Sequence, residues 1–249
     1  MYAYFSSFSS SFSPTSSREP ALNLILRPAT YSDLNAMTEL GLAALPDGPT
    51  WLYRFPKAKL HPEDHYKFSH LRFSEYLINV GIGVYAVVVV EASSGDDPSS
   101  PKIVAMSMWI PPRSHLPNPD RAVVGPKPPS DHTERKNANR QRMVEFRKQL
   151  AIAKGRHFDD VYGNEQLNLM ILATHPSYRR RGAGTMLVKW GVEKAERERL
   201  AVTLFSIPTD LRLYARLGFK EVTTRHVQVE GEEEAIDLPA VIWAPPINQ

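Results

Sequence analysis

One stretch of this chain combines residue types and spacing that could do chemistry. An apolar strand, Leu167 to Thr174, runs through His175-Pro176-Ser177-Tyr178 into Arg179-Arg180-Arg181-Gly182-Ala183-Gly184-Thr185 and then an amphipathic helix over 182–199. A strand that exits into a glycine-bearing turn at a helix N-terminus points backbone N–H groups outward, and the helix dipole favours an anion there. Two glycines let a ligand approach the main chain, so pyrophosphate is the natural guest, and the arginines add charge for phosphates. Two other phosphate loops are excluded. A dinucleotide fingerprint needs a third glycine where Leu187 stands, and a Walker loop needs a lysine before the hydroxyl, which Gly184-Thr185 lacks.

Other residues invite weaker readings. Trp51, Tyr53 and Phe55 could wall an amine site, where a cation is attracted to aromatic faces, or could equally be core. His61, His65 and His70 are spaced by four and five on one helix without carboxylates, which suits solvated or hydrogen-bonded roles rather than a metal site. His175 precedes a proline and reads as a turn-shaping residue. Arg135, Lys136, Arg140, Arg142, Arg147 and Lys148 make one helix basic, with Glu134 and Glu145 against them. Its apolar stripe of Met143, Phe146 and Leu150 favours a solvated outer face over a nucleic-acid surface. Glu232-Glu233-Glu234 reads as a solvated hairpin tip.

These residues need elements to position them. Asn23 to Arg27 alternates as a first strand, and Thr30 with Asp33 opens a helix striped by Leu34, Met37, Leu40, Gly41 and Leu45. A loop through Asp47-Gly48-Pro49 leads to a second helix starting near Pro62. Val84–Glu91 and Ile103–Ile110 pair as strands, with a turn around Gly95-Asp96-Asp97-Pro98 between them. Pro111 to Pro129 is irregular, and a helix follows at about 132–154. After the strand at 167–174 and the helix at 182–199 come a strand (201–206), a short helix (211–217) and a hairpin of 219–229 and 235–243 around Gly231. The order predicts a mixed α/β sheet in one domain.

Composition agrees. The chain has 249 residues, of which 42% are hydrophobic, and a formal charge of +3 from 30 basic and 27 acidic side chains. That is enough for a real core and neutral about nucleic acid. No apolar run reaches membrane-spanning length. The absence of cysteine excludes disulfides, thiolate metal sites and cysteine nucleophiles, and suits a reducing compartment. The first eighteen residues hold eight serines, five aromatics, one arginine and no acid, too polar for a secretory signal and too poor in arginine for a mitochondrial presequence. Residues 1–20 are therefore expected to form a disordered tail on a domain at 21–246, in the cytoplasm.

Arg179-x-x-Gly182-x-Gly184 between strand and helix resembles the acyl-CoA loop of the Gcn5-related N-acetyltransferase (GNAT) family, written Q/R-x-x-G-x-G/A. Tyr214-x-x-x-Gly218-Phe219 resembles the family's later Y-x-x-x-G-F motif, and Arg27-Pro28-Ala29-Thr30 with Asp33 its first strand-to-helix junction. The likeness extends from about Leu22 to Trp243, and Val104 to Ser114 is similar to puromycin-type and fungal members. The resemblance implies a single GNAT domain whose sheet splays at the fourth strand, with an inserted helix before that strand. It implies acetyl-CoA as co-substrate, no metal, and direct acetyl transfer to a primary amine, a small molecule if the inserted segment narrows the acceptor groove. The backbone of Leu172, Ala173 and Thr174 would then lie along the pantetheine arm, with the Leu172 N–H as oxyanion donor. The N–H groups from Arg180 to Thr185 would hold the pyrophosphate, and Tyr214 would protonate the departing thiolate or simply pack on the sheet. Asn168 stands where histone acetyltransferases keep a catalytic glutamate, and Pro208-Thr209-Asp210 where many members keep an asparagine. Glu165 is the candidate general base, with His65 and His175 behind it. An acyl-CoA-binding member without catalysis, or a nucleic-acid- or protein-associated acetyltransferase using the basic helix, are the alternatives.

Overall fold

The computed structural model describes residues 22–94, 97–112, 114, 135–163 and 165–245. The tail expected over residues 1–20 and most of the 111–129 segment lie outside them. In chain order the elements are β1 (Asn23–Pro28), α1 (Leu34–Ala44), α2 (Pro49–Arg54), α3 (Pro62–Ile78), β2 (Ala86–Ser94) and β3 (Asp97–Ile110). There follow α4 (Arg140–Lys154), a π-helical turn (Gly155–Asp159), the single turn α5 (Asp160–Tyr162), β4 (Gln166–Thr174) and α6 (Ala183–Glu198). The chain closes with β5 (Ala201–Phe205), α7 (Leu211–Arg216), β6 (Lys220–Gln228) and β7 (Ala235–Trp243). The seven strands form one sheet in the order β1-β2-β3-β4-β5-β7-β6, antiparallel except for the β4–β5 pair.

Strand alternation decides which helix meets which face. Val87, Val89, Met106, Met108 and Ala173 turn to the side covered by α1 and α3. Leu167, Leu169, Val202 and Leu204 turn to the opposite side, where α6 and α7 pack through Val188, Ala195 and Tyr214. The approach of α6 is unusually close, because a Cβ on Gly191 would fall 2.1 Å from the Trp109 ring. Trp109 is fully buried there, and its indole N–H donates to Ser107 Oγ at 2.9 Å.

The first junction is built as its sequence suggests, and more strongly. Asp33 accepts from the Thr30 backbone at 2.7 Å, and Arg27 donates two bonds to Asp33 (2.8 and 2.9 Å) and one to Glu91 on β2 (2.6 Å). The guanidinium therefore holds the Asp33 carboxyl below its usual range, and both carboxylates hold Arg27 above its own.

Four segments differ from the sequence reading. β3 begins at Asp97 rather than Ile103, so Asp97 and Pro98 lie in the strand, while Gly95 and Asp96 of the expected turn lie outside the described residues. Asp47-Gly48-Pro49 does not open a long loop, since Pro49 occupies the first turn of α2, a helix too short to show periodicity. The inserted helix starts at Arg140 rather than near 132, because the Asn139 side chain caps it by accepting from the Arg142 backbone at 3.1 Å. The preceding residues 135–139 run irregularly across α2 and α3, where the Asn139 N–H donates to the Arg54 carbonyl at 3.0 Å and the Lys136 N–H to Asp64 at 2.8 Å. After α4, the π-helical turn buries Phe158 against Phe205, Ala240 and Ile242, a contact that no local pattern announces.

Candidate active site

The site forms where β4 parts from β5. Their parallel pairing covers only Gln166–Leu169 against Ala201–Leu204, so from Met170 onward β4 keeps one neighbour, β3. Met170 is itself a bulge: Met108 pairs with Ile171 and Trp109 with Leu169, which leaves Met170 unpaired and 41% exposed. Beyond the bulge the ladder alternates. The His175 N–H donates to the Val104 carbonyl at 2.9 Å, which makes Met106–Ala173 and Met108–Ile171 the bonded pairs. Leu172 and Thr174 consequently direct their N–H and carbonyl groups away from β3 and into the gap, whereas the Ala173 main chain faces β3. Of three consecutive residues expected along the gap, two present main-chain groups to it.

The loop leaving β4 is shaped for an anion. Arg180 and Gly182 both adopt left-handed backbone (φ 64° and 95°), a conformation that glycine takes freely and arginine does not. Space beside Gly182 is open, with no atom within 4 Å of where its Cβ would stand. The Met186 N–H closes the first turn of α6 on the Gly182 carbonyl at 3.0 Å, so the N–H groups of Ala183, Gly184 and Thr185 have no acceptor within the helix. Gly184 keeps the helix start tight against β4, since a Cβ there would lie 3.3 Å from Thr174 Oγ1. Arg180 and Arg181 are exposed. Arg179 is not turned to a phosphate. Its guanidinium reaches Asp47 Oδ2 and the Ala44 carbonyl, each at 3.0 Å, and so ties this loop to the segment between α1 and α2. His175 accepts from the Ser177 backbone at 3.3 Å, a turn-shaping contact.

Tyr214, on α7, is buried in the cluster on the α6 side of the sheet, 4% exposed and edge-on to Phe219 at 5.5 Å between centroids. Leu172 packs against the same apolar cluster. Burial, helped by the nearby Asp210 charge, pushes the phenol well above its ordinary range, so it holds its proton throughout the neutral region.

Glu165 is not brought to this place. It is exposed at the start of β4, seven residues before Leu172, which is about 20 Å along a strand. Asn168 is on the α1–α3 side of the sheet, and its amide donates to Thr203 Oγ1 and the Thr203 carbonyl, both at 3.0 Å. His65 is 5% exposed and engaged elsewhere. The Trp51 indole N–H donates to His65 Nε2 at 2.9 Å, and the Asn137 amide lies 2.6 Å from Nδ1. His70 stacks on Tyr66 at 5.7 Å, and among the described residues no group of three His, Asp or Glu side chains is placed to hold a metal.

The aromatic trio does not form one wall either. Trp51 and Phe55, four apart on one helix side, meet at 4.8 Å over His65. Tyr53 points the other way, into a cluster with Val227, Ile236 and Leu238 of the β6–β7 hairpin. Sequence reading also overlooked Arg54, Arg72, Tyr76 and Tyr85, which gather beside Trp51 and Phe55. Nothing local marks them, since they come from α2, α3 and the start of β2.

Known proteins share part of this sequence and its fold. Residues 144–221 match the family described as an acetyltransferase (GNAT) domain. A protein named acetyltransferase from the fungus Stachybotrys chartarum is 23% identical over 218 residues, 88% of this chain and 90% of that one. Among solved structures, a mosquito arylalkylamine N-acetyltransferase like 5b superposes with a TM-score of 0.57 at 17% identity, covering 89% of this chain and 100% of that one. Arabidopsis thaliana NAA60, solved in complex with acetyl-CoA, gives 0.51 at 16% identity, with 89% and 98% covered.

Proposed function

We propose that the chain is an acetyltransferase of the GNAT type and that it moves an acetyl group from acetyl-CoA to the primary amine of a small molecule, by direct attack with both substrates bound. The observation that carries this reading is the gap between β4 and β5, faced by the main-chain groups of Leu172 and the Thr174 N–H, with the Thr174 carbonyl accepting from Arg179 Nε at 3.4 Å, and opening toward the glycine turn of α6. A thioester arm lying there would extend the β4 ladder where β5 has left it, and its pyrophosphate would meet the N–H groups from Arg180 to Thr185. The Leu172 N–H would stabilise charge developing on the acetyl oxygen as the amine nitrogen bonds to the acetyl carbon. The carbon–sulfur bond then breaks, and Tyr214 would hand its proton to the leaving sulfur. A phenol is protonated at neutral pH and can serve as this donor, although burial raises its pKa and so weakens it as an acid. With Glu165 distant and the Asn168 amide engaged with Thr203, the attacking nitrogen would shed its proton through water. Holding both reactants in one groove supplies much of the rate.

The basic helix offers little to the rival nucleic-acid reading. Arg142 is spent on Glu232 and Glu234, Lys148 meets Glu145, and Lys154 meets Asp159. No described helix is long and apolar enough to cross a membrane.

Titration calorimetry with acetyl-CoA, followed by thiol release across an amine panel, tests the proposal. Micromolar binding with turnover of any amine supports it. Binding without turnover would leave an acyl-CoA-binding protein, and no binding would remove the reading altogether.

A further inference from the structure

Three guanidinium groups converge on the α1–α3 side of the sheet with too few carboxylates to balance them. Arg54 lies over the Phe146 ring at 4.4 Å and over Phe55 at 5.2 Å, and Arg135 over Phe68 at 4.5 Å and Phe55 at 4.8 Å. Both cations thus share Phe55. Arg72 completes the set, 5.9 Å from the Tyr76 ring. Arg72 has Glu75 at 3.3 Å, but among the described residues neither Arg54 nor Arg135 forms an ion pair with a carboxylate. Asp64 is nearby and accepts from the Lys136 backbone instead. The bond Arg54 does make runs from Nε to the Thr50 carbonyl at 2.8 Å, which leaves the outer edge of the fork uncommitted.

Arg135 is poorer still in acceptors. An indole N–H can only donate, so Trp51 makes His65 Nε2 an acceptor, and the neutral ring carries its proton on Nδ1. The one Asn137 amide oxygen, 3.3 Å from Arg135 Nε, is therefore sought by two donors. Arg135 is only 9% exposed, so it is a nearly buried cation without a good acceptor. Burial and mutual repulsion lower both Arg54 and Arg135 to about 10, and the Arg135 charge helps hold His65 down at about 4, after burial itself. Leaving a buried cation unmatched is costly, and a forked guanidinium suits an incoming carboxylate or phosphate, which it can bind in two-pronged fashion.

The cluster adjoins the proposed acceptor side. Tyr76 is buried next to Arg54 and Arg72 and meets Tyr85 edge-on at 4.8 Å. Tyr85 packs against the core cluster that includes Met108, and Ile171, paired with Met108 just past the Met170 bulge, packs against the same cluster. One core cluster thus borders both the β4 strand beyond the bulge and the Tyr85–Tyr76 pair beside the arginines.

Resting on the acetyltransferase reading above, we propose that Arg54, Arg72 and Arg135 form a subsite for an anionic group on the acceptor, so that the substrate is an amine bearing a carboxylate or phosphate at its far end. Aromatic faces under Arg54 and Arg135 fix the forks, and the anion supplies the acceptors that the fold withholds.

The test is calorimetric binding to wild-type protein in the presence of CoA, using matched pairs. They are 4-aminobutyrate, 5-aminopentanoate and 6-aminohexanoate against the parent alkylamines, and O-phosphoethanolamine against ethanolamine. At least tenfold tighter binding of one anionic member is expected, and which pair shows it separates carboxylate from phosphate. That preference should fall at least tenfold in Arg72→Gln, whose partly exposed side chain can be exchanged without emptying the core, and recover in part in Arg72→Lys. Equal or weaker binding of every anionic member, or an unchanged preference in Arg72→Gln, overturns the subsite. Loss of acetyl-CoA binding in the same instrument would instead sink the acetyltransferase reading, while the wild-type comparison would still decide the anion site.

Discussion

Tyr214 and His65 show how burial sets the protonation state of single residues in opposite senses. Tyr214 is kept neutral and protonated beside Leu172, so Tyr214→Phe should lower kcat by about 10–100-fold with little change in KM. Steady-state kinetics decide this: an unchanged kcat would return Tyr214 to packing alone. His65 is kept neutral by lost hydration and by Arg135, with its pKa lowered from 6.5 to about 4. The unfolded chain therefore takes up this proton first. The contribution to stability is complete above pH 6.5, falls as pH drops from 6.5 to 4, and levels off below, on the order of 2 kcal/mol in all. Proton NMR should find the His65 ring unshifted between pH 8 and 5.5, and a midpoint above 6 would show that the ring is not enclosed as described.

Between α6 and β3 two local rules pull in opposite directions. Helix propensity alone makes Gly191→Ala stabilising by up to ~1 kcal/mol. Packing makes it destabilising, because the new methyl would stand 2.1 Å from a Trp109 ring that is fully enclosed. The ring cannot retreat, so a net loss of about 2–4 kcal/mol is expected in urea unfolding, and a neutral result would mean the helix can slide on the sheet. This pair also marks the limit of what the sequence displays. β4, α6 and the glycine turn were legible because their signals are local: an apolar run, a helical period, and glycines where backbone must bend. Asp33 was legible for the same reason, lying three residues after the Thr30 it caps. The opposed directions of Trp51 and Tyr53 and the tethering of Arg179 to Asp47 were not. Each depends on which distant element comes to lie alongside, and the Arg54–Arg72–Arg135 cluster draws on two helices and an irregular segment more than sixty residues apart in the chain.

At the scale of the molecule, the sheet is two halves joined by a short seam. Four residue pairs, Gln166–Leu169 with Ala201–Leu204, join β1–β4 to β5–β7, and beyond them the halves diverge around the proposed cofactor arm. A ligand wedged there would touch both halves and would bind only the folded state. At a hundred times its Kd such a ligand contributes about 2.7 kcal/mol, which for a chain of this length raises Tm by roughly 5–10 °C. Amide exchange should localise the effect. Without ligand, the Leu172 and Thr174 N–H groups face the gap and exchange quickly, while Ala173, bonded within the β3 ladder, is protected. Acetyl-CoA should slow Leu172 and Thr174 toward the Ala173 rate. In Gly182→Trp, where the left-handed turn is strained and the open space beside it is filled, both the Tm rise and the added protection should vanish. Protection spread evenly over all seven strands would mean that the ligand stabilises the fold from some other surface, and the gap would lose its role. Protection confined to these two amides would place the acetyl donor along β4.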